Sequence, residues 1–223
     1  KELKLAKSNQ KVYILKSKSN LYFMENYPDS YYAENASFLK ETYSQIVDDQ
    51  ECDICIVGGG FSGLSTAIEA AKKGLKVIVL EQHLFGWGAS GRNGGQIWND
   101  VSWGIEVIEK KYDISLAKRI WNISQAAVDL IDDRIKEFNI SCDKKNGGIN
   151  AATSLAKLKE YEKNMKYKMK TYNYNKLEAL DKKSVEKEIG SSLYYGGILD
   201  YGAGHLHPLK YALGLVKAAA SLN

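Results

Sequence analysis

The sequence predicts an α/β fold organised around a parallel strand–helix–strand unit, and three observations lead there. Asp53–Val57 (DICIV) is a short apolar run rich in β-branched residues, as a buried parallel strand requires. Gly58, Gly60 and Gly63 follow in G-x-G-x-x-G spacing. Leu75–Leu80 reads as a second strand, and Glu81 closes it 18 residues after Gly63.

Each part has a physical task. Gly58 permits a tight turn, Gly60 lets the backbone approach a pyrophosphate, and Gly63 lets helix pack closely on strand. Leu64, Ala67, Ile68 and Ala71 make one apolar helical face, and Gly74 is placed to end that helix. Glu81 stands where a carboxylate accepts hydrogen bonds from an adenosine ribose, and it argues against a 2′-phosphate. A turn, helix, strand and acid in register predict dinucleotide binding, with Phe61 and Ser62 inside the motif and Gln82 after the acid in the same set.

FAD and NAD share such a cradle, and the next segment separates them. Gly86–Gln96 holds five glycines in eleven residues, with Ser90, Arg92, Asn93 and Gln96 among them. That density of backbone N–H groups and polar side chains suggests a second cradle for a longer cofactor, FAD. Trp87, Ile97 and Trp98 argue for a packed loop over a loose one.

With these residues in hand, the chain resembles the FAD-dependent amine and amino-acid oxidases of the D-amino-acid oxidase superfamily. The resemblance rests on DICIVGGGFSGLSTAIEAAKKG followed by VLEQHLFGWGASGRNGGQI. Ser30-Tyr31-Tyr32-Ala33 and Gly204-His205-Leu206-His207-Pro208 also fit, and the gamma-glutamylputrescine oxidase branch fits best. The resemblance implies a Rossmann-like FAD-binding domain, a parallel sheet with helices, plus part of an α+β substrate domain. It implies that Ser90, Arg92, Asn93, Gly94, Gly95 and Gln96 run under the flavin, Arg92 neutralising phosphate or reduced-ring charge unless it forms a plain salt bridge. Some relatives attach flavin through a histidine in this loop. Gly91-Arg92-Asn93-Gly94 has none, so non-covalent FAD is expected.

The resemblance also sets expectations for the whole chain. Relatives are nearly twice as long, so the 223 residues are expected to be an N-terminal fragment, truncated at the C-terminus. Residues 1–23 carry six lysines against one glutamate, which accounts for the basic balance. They are expected to be a non-native or disordered extension ahead of a start at Met24. Residues 24–50 would form an N-terminal arm, 51–146 the first part of the FAD-binding domain, and 147–204 the first part of the substrate domain. Residues 205–223 would be a helix returning to the FAD domain.

Composition excludes several classes. With 44% hydrophobic and 26% charged residues the chain is ordinary globular protein. Outside residues 1–23 no basic patch favours nucleic acid. No run approaches a membrane span or signal-peptide core, and a cytoplasmic location is expected. Cys52, Cys55 and Cys142 do not suggest a disulfide scaffold; Cys52 and Cys55 form a C-x-x-C read as core cysteines. His205 and His207 lack a third partner for metal, and either faces substrate or packs at a helix start. His83, outside the motif, is expected to be exposed.

Further along, Val101–Lys111 suggests a short helix carrying Trp103, Val107 and Ile108. Ser115–Asn139 is a clear helix, with Leu116, Ile120, Ala127, Val128, Ile131, Ile135 and Phe138 at helical spacing. Trp121 is read as core, and Asp132, Asp133, Arg134 and Lys136 as a solvated face. Strand character is expected at Gly148–Thr153 and Leu177–Leu180, and helices at Ser154–Lys170, N-capped by Ser154, and Asp181–Ile189, capped by Asp181. Residues 194–202 suit strand and turn, and Pro208 suits a helix's first turn.

The implied function is oxidation of an amine by hydride transfer to flavin N5, giving imine or aldehyde, ammonia and, with oxygen as acceptor, hydrogen peroxide. Gamma-glutamylputrescine is the leading substrate. The alternatives are a glycine, sarcosine or proline type amino-acid oxidoreductase, and an inactive truncated fragment.

Overall fold

The computed structural model describes residues 12–16, 26–36, 43, 46, 48–102 and 104–222. Met24 and Trp103, both singled out above, lie outside the described residues. The chain divides into two compact units, one of residues 1–95, 134–143 and 207–223, the other of residues 96–133 and 144–206.

In the first unit, β1 (Val12–Lys16), β2 (Ile54–Val57) and β3 (Val77–Glu81) form a parallel sheet in the order β1-β3-β2. Ile54 of β2 and Val12 of β1 both register with Val77 of β3. The central strand is therefore the apolar one, and Val77 and Val79 are fully buried. Helix α2 (Phe61–Lys72) buries Leu64, Ala67, Ile68 and Ala71, the face its sequence spacing predicts. Helix α7 (Pro208–Ala220) packs on α2 and β1 and is buried nearly all round, which its Leu, Val and Ala content allows. A short α1 (Tyr31–Asn35) is capped by Ser30, whose side chain accepts from the Ala33 N–H.

Residues 12–16 pair in register with β3. Two expectations are corrected here. The cysteines of the C-x-x-C are not core: Cys52 is half-buried and Cys55 exposed, since β2 turns Cys55 and Val57 to its open face. Arg134 is 3% exposed rather than solvated. It lies in α4 (Ile114–Glu137), where its guanidinium bonds to Ser65 and, at 3.0 Å, to Glu69 of α2.

The second unit is built on β7 (Gly197–His205), which pairs antiparallel with β4 (Gln96–Ile97), β5 (Lys145–Ala151) and β6 (Leu177–Leu180). Helices α3 (Ile105–Lys111), α5 (Leu155–Tyr172) and α6 (Lys182–Ile189) complete it with most of α4. Ser154 and Asp181 cap α5 and α6 as expected, accepting from the Lys157 and Ser184 N–H groups. Gln96–Asp133 fall within this second unit. The reason is physical: β4 bonds to β7, and Ile105, Ala117 and Trp121 bury themselves with Tyr174. In α4 the buried stripe runs through Ala117 and Trp121; of the residues picked by periodicity Ala127 is exposed and the others are only partly covered.

His207 caps α7, its Nδ1 accepting from the Lys210 N–H at 3.1 Å. Its Nε2 is buried without a hydrogen-bond partner among the described residues. Burial, and then the Lys210 charge, hold its pKa below the ordinary histidine value of 6.5. The unfolded chain therefore binds that proton more readily, and the stability His207 contributes is complete above 6.5 and lost as pH falls through its folded pKa. The urea midpoint is expected to fall between about pH 7 and pH 5, and His207→Asn, which keeps a cap acceptor, to flatten that slope. An unchanged slope in the variant would remove His207 from the account.

Candidate cofactor site

The glycine run between β2 and α2 is shaped by what it cannot hold. Gly58 has φ +104°, a conformation side chains rarely adopt. A Cβ on Gly63 would overlap the Gly58 carbonyl oxygen, so the helix enters flush against the strand end. Gly59, which the motif leaves free, is packed as tightly as Gly63, because the Phe85 ring occupies the space of a side chain. At Gly60 a Cβ would lie 2.8 Å from Ser90 Oγ.

The second glycine segment repeats this device. Gly86 has φ +72°, and a Cβ on Gly91 would overlap the Gly86 carbonyl oxygen, five residues back as in the first turn. The two turns are tied together: the Gly86 N–H donates to Gly59 O at 3.2 Å, and the Phe61 N–H donates to Ser90 Oγ at 3.0 Å. Asn93 braces its own loop, donating to the Ala89 and Ser90 carbonyls and accepting from the Gly95 N–H.

Glu81 joins the pieces from the end of β3. Its Oε2 accepts from the Gly59 N–H at 2.8 Å and its Oε1 from the His83 N–H at 2.9 Å. One carboxylate thus fixes the glycine run against the segment that follows β3. Tyr27 donates its hydroxyl to the Phe85 carbonyl at 2.8 Å, and burial, aided by the Glu81 charge, pushes its pKa up to about 12.

These segments enclose a cavity of about 550 Å³, within the range of small-molecule and cofactor sites. Gly58, Gly60, Glu81, Gln82 and Ser90 line it, as do His83 and Trp87, which the sequence reading did not place there. The His83 and Trp87 rings lie 4.5 Å apart, and the Arg92 guanidinium stacks 4.5 Å from the Trp87 ring. Arg92 forms no ion pair among the described residues. His83, expected to be exposed, is half-buried with an unpartnered Nδ1. Its position two residues past Glu81 gave no signal, because the motif ends at the acid.

The other predicted residues do not line this cavity. Phe61 packs its ring on Tyr211, Ser62 is exposed, and Gly63 serves the helix–strand contact. Gly94 is exposed, Gly95 is buried with φ +69°, and Gln96 belongs to β4 of the second unit, in register with His205. His205 is exposed.

The cavity suits a dinucleotide on structural grounds. It opens at the α2 N-terminus, where the first N–H groups have no partner within the helix and the dipole favours an anion. Its floor is glycine, and its acid stands at the end of the neighbouring strand. Among the described residues no three acidic, histidine or cysteine side chains gather for a metal. No helix among them is long and apolar enough to cross a membrane.

This arrangement defines a nucleotide-cradling α/β unit, and comparison with known proteins gives its class: the FAD dependent oxidoreductase family model matches residues 53–223, and the chain belongs to that family. Among curated relatives, gamma-glutamylputrescine oxidoreductase of Escherichia coli is 42% identical over 166 residues, 73% of this chain and 38% of its own length. A probable oxidoreductase, OrdL, of Haemophilus influenzae is 41% identical over 174 residues, 78% of this chain and 40% of its own. The chain therefore spans about 40% of the length of these relatives. Glycine oxidase from Geobacillus kaustophilus shares the fold, with a TM-score of 0.58 at 21% identity over 77% of this chain and 45% of that one.

Proposed function

We propose that this chain forms the cofactor-cradling part of an FAD-dependent amine oxidoreductase whose substrate is gamma-glutamylputrescine. The observation that carries the cofactor reading is the glycine-floored cavity at the α2 N-terminus, closed by Glu81. The substrate reading draws on the E. coli relative.

Bound FAD supplies a flavin N5 that accepts hydride from the carbon next to the amine nitrogen. The residues here bind and orient. Gly58 and Gly60 let backbone N–H groups reach the pyrophosphate, and Ser62 and Gly63 present theirs from the first turn of α2. Both oxygens of Glu81 already hold loop N–H groups. Their remaining lone pairs accept from ribose hydroxyls, so the residue positions the loop and the sugar together. Gln82, His83 and Trp87 wall the adenosine end. Ser90, Arg92, Asn93, Gly94, Gly95 and Gln96 are assigned to the flavin side, with oxygen as the electron acceptor. No histidine stands at residues 91–94, so the FAD is held without a covalent bond.

The test uses protein expressed from its complete reading frame. It is expected to be yellow, to release all flavin on acid precipitation, and to bleach with gamma-glutamylputrescine under argon. Colour should return with hydrogen peroxide when air is admitted. A yellow protein that this amine does not bleach would discard the substrate, and a colourless protein that FAD cannot reconstitute would discard the cofactor.

A further inference from the structure

The second unit contains a cavity of about 480 Å³ that takes no part in the cofactor reading. One wall is a face of the β7 sheet. Asn150 registers with Ile198, and Leu177 with Asp200, so these four side chains share a face. The opposite wall is one stripe of α5, Tyr161, Asn164, Met165 and Lys168, at i, i+3, i+4 and i+7 spacing. Trp98 closes a side by lying over Gly148, where a Cβ would stand 2.9 Å from the indole.

Charge inside this cavity is unbalanced. Asp200 is 5% exposed, and three donors converge on a single oxygen, Oδ1: the Tyr174 hydroxyl at 2.5 Å, the Gly202 N–H at 2.9 Å and Asn99 Nδ2 at 3.5 Å. Tyr174 keeps its proton, since burial and the Asp200 carboxylate raise its pKa. Asp200 Oδ2 accepts no hydrogen bond from the described residues. Lys168 is the one cation among the lining residues, and it is bound to Asp100. Oδ2 is left to a ligand in the cavity, and an ammonium group can donate to it.

The walls say which kind of cation. The space far exceeds a bare ion, and no three acidic, histidine or cysteine side chains that could hold a metal gather among the described residues. Trp98, Tyr161, Met165, Leu177 and Ile198 offer apolar and aromatic surface beside the carboxylate, while Asn150 and Asn164 offer amide oxygens. We propose that this cavity binds a small organic ammonium compound, its nitrogen on Asp200 Oδ2 and its hydrocarbon part against Trp98, Tyr161 and Ile198. Every residue involved lies in the second unit, so the inference does not depend on the FAD assignment.

Calorimetric titration of the full-length, FAD-loaded protein with butylammonium, butan-1-ol and butyrate tests it. Butylammonium should bind at millimolar concentration while the alcohol and the carboxylate do not. Asp200→Asn, which keeps an acceptor for the Tyr174 and Gly202 donors, should weaken binding about ten- to a hundred-fold. Met165→Trp, filling the cavity from the α5 side without touching that network, should abolish it even if the first variant folds poorly. Alcohol binding as tightly as the ammonium, no ammonium binding, or wild-type binding in Met165→Trp would each overturn the proposal.

Discussion

Gly63→Ala is expected to lower stability by about 3 kcal/mol and to leave a protein that does not retain FAD. The added methyl group would overlap the Gly58 carbonyl oxygen, a backbone atom that no rotamer change moves aside. Relief requires α2 to lift from the end of β2, and this displaces the N–H groups at its first turn from the cavity. Calorimetric unfolding and FAD titration of the apoprotein read the two effects separately. Gly91→Ala should behave similarly, because its Cβ meets the Gly86 carbonyl oxygen in the same way and Leu209 as well. A Gly63→Ala protein with an unshifted unfolding midpoint and bound flavin would contradict the packing described for this turn.

Glu81→Ala should cost about 3 kcal/mol of stability in the apoprotein, before any cofactor is added. Two backbone N–H groups, of Gly59 and His83, lose a charged acceptor, and each such bond is worth about 1.5–3 kcal/mol with incomplete additivity. Glu81→Gln retains one side-chain carbonyl oxygen and should fall between the two. Denaturant unfolding of the three apoproteins orders them. An apoprotein of Glu81→Ala as stable as wild type would mean that Glu81 acts on ribose alone and does not hold the loop.

The parts of the fold legible in the sequence were those fixed by local rules. The glycine spacing, the apolar face of α2, the caps at Ser154 and Asp181 and the run Leu177–Leu180 all depend on residues within a turn or two of each other. Three-dimensional pairing was not legible. Arg134 reads as one of four charged neighbours on a helix, and its burial follows from Ser65 and Glu69, far away in sequence. Gln96–Asp133 read as a continuation of the first domain because nothing local announces that β4 pairs with residues 204 and 205. Within the cofactor cavity the acid and the glycines were legible, whereas His83 and the tight fit of Gly59 against Phe85 were not. A motif records which positions must be small. It does not record what fills the space beside them.

The paired glycine turns constrain chain length as firmly as residue identity. Gly58 touches Gly63, and Gly86 touches Gly91, across the same interval. One residue inserted between Gly60 and Gly63 would rotate the following helix by about 100° against its sheet. Leu64, Ala67 and Ile68 would then turn away from the strands they cover. A deletion-and-insertion scan of residues 58–91 should therefore find two intolerant windows, 58–63 and 86–91, with length changes better tolerated at the exposed Lys73 and Gly74 between them.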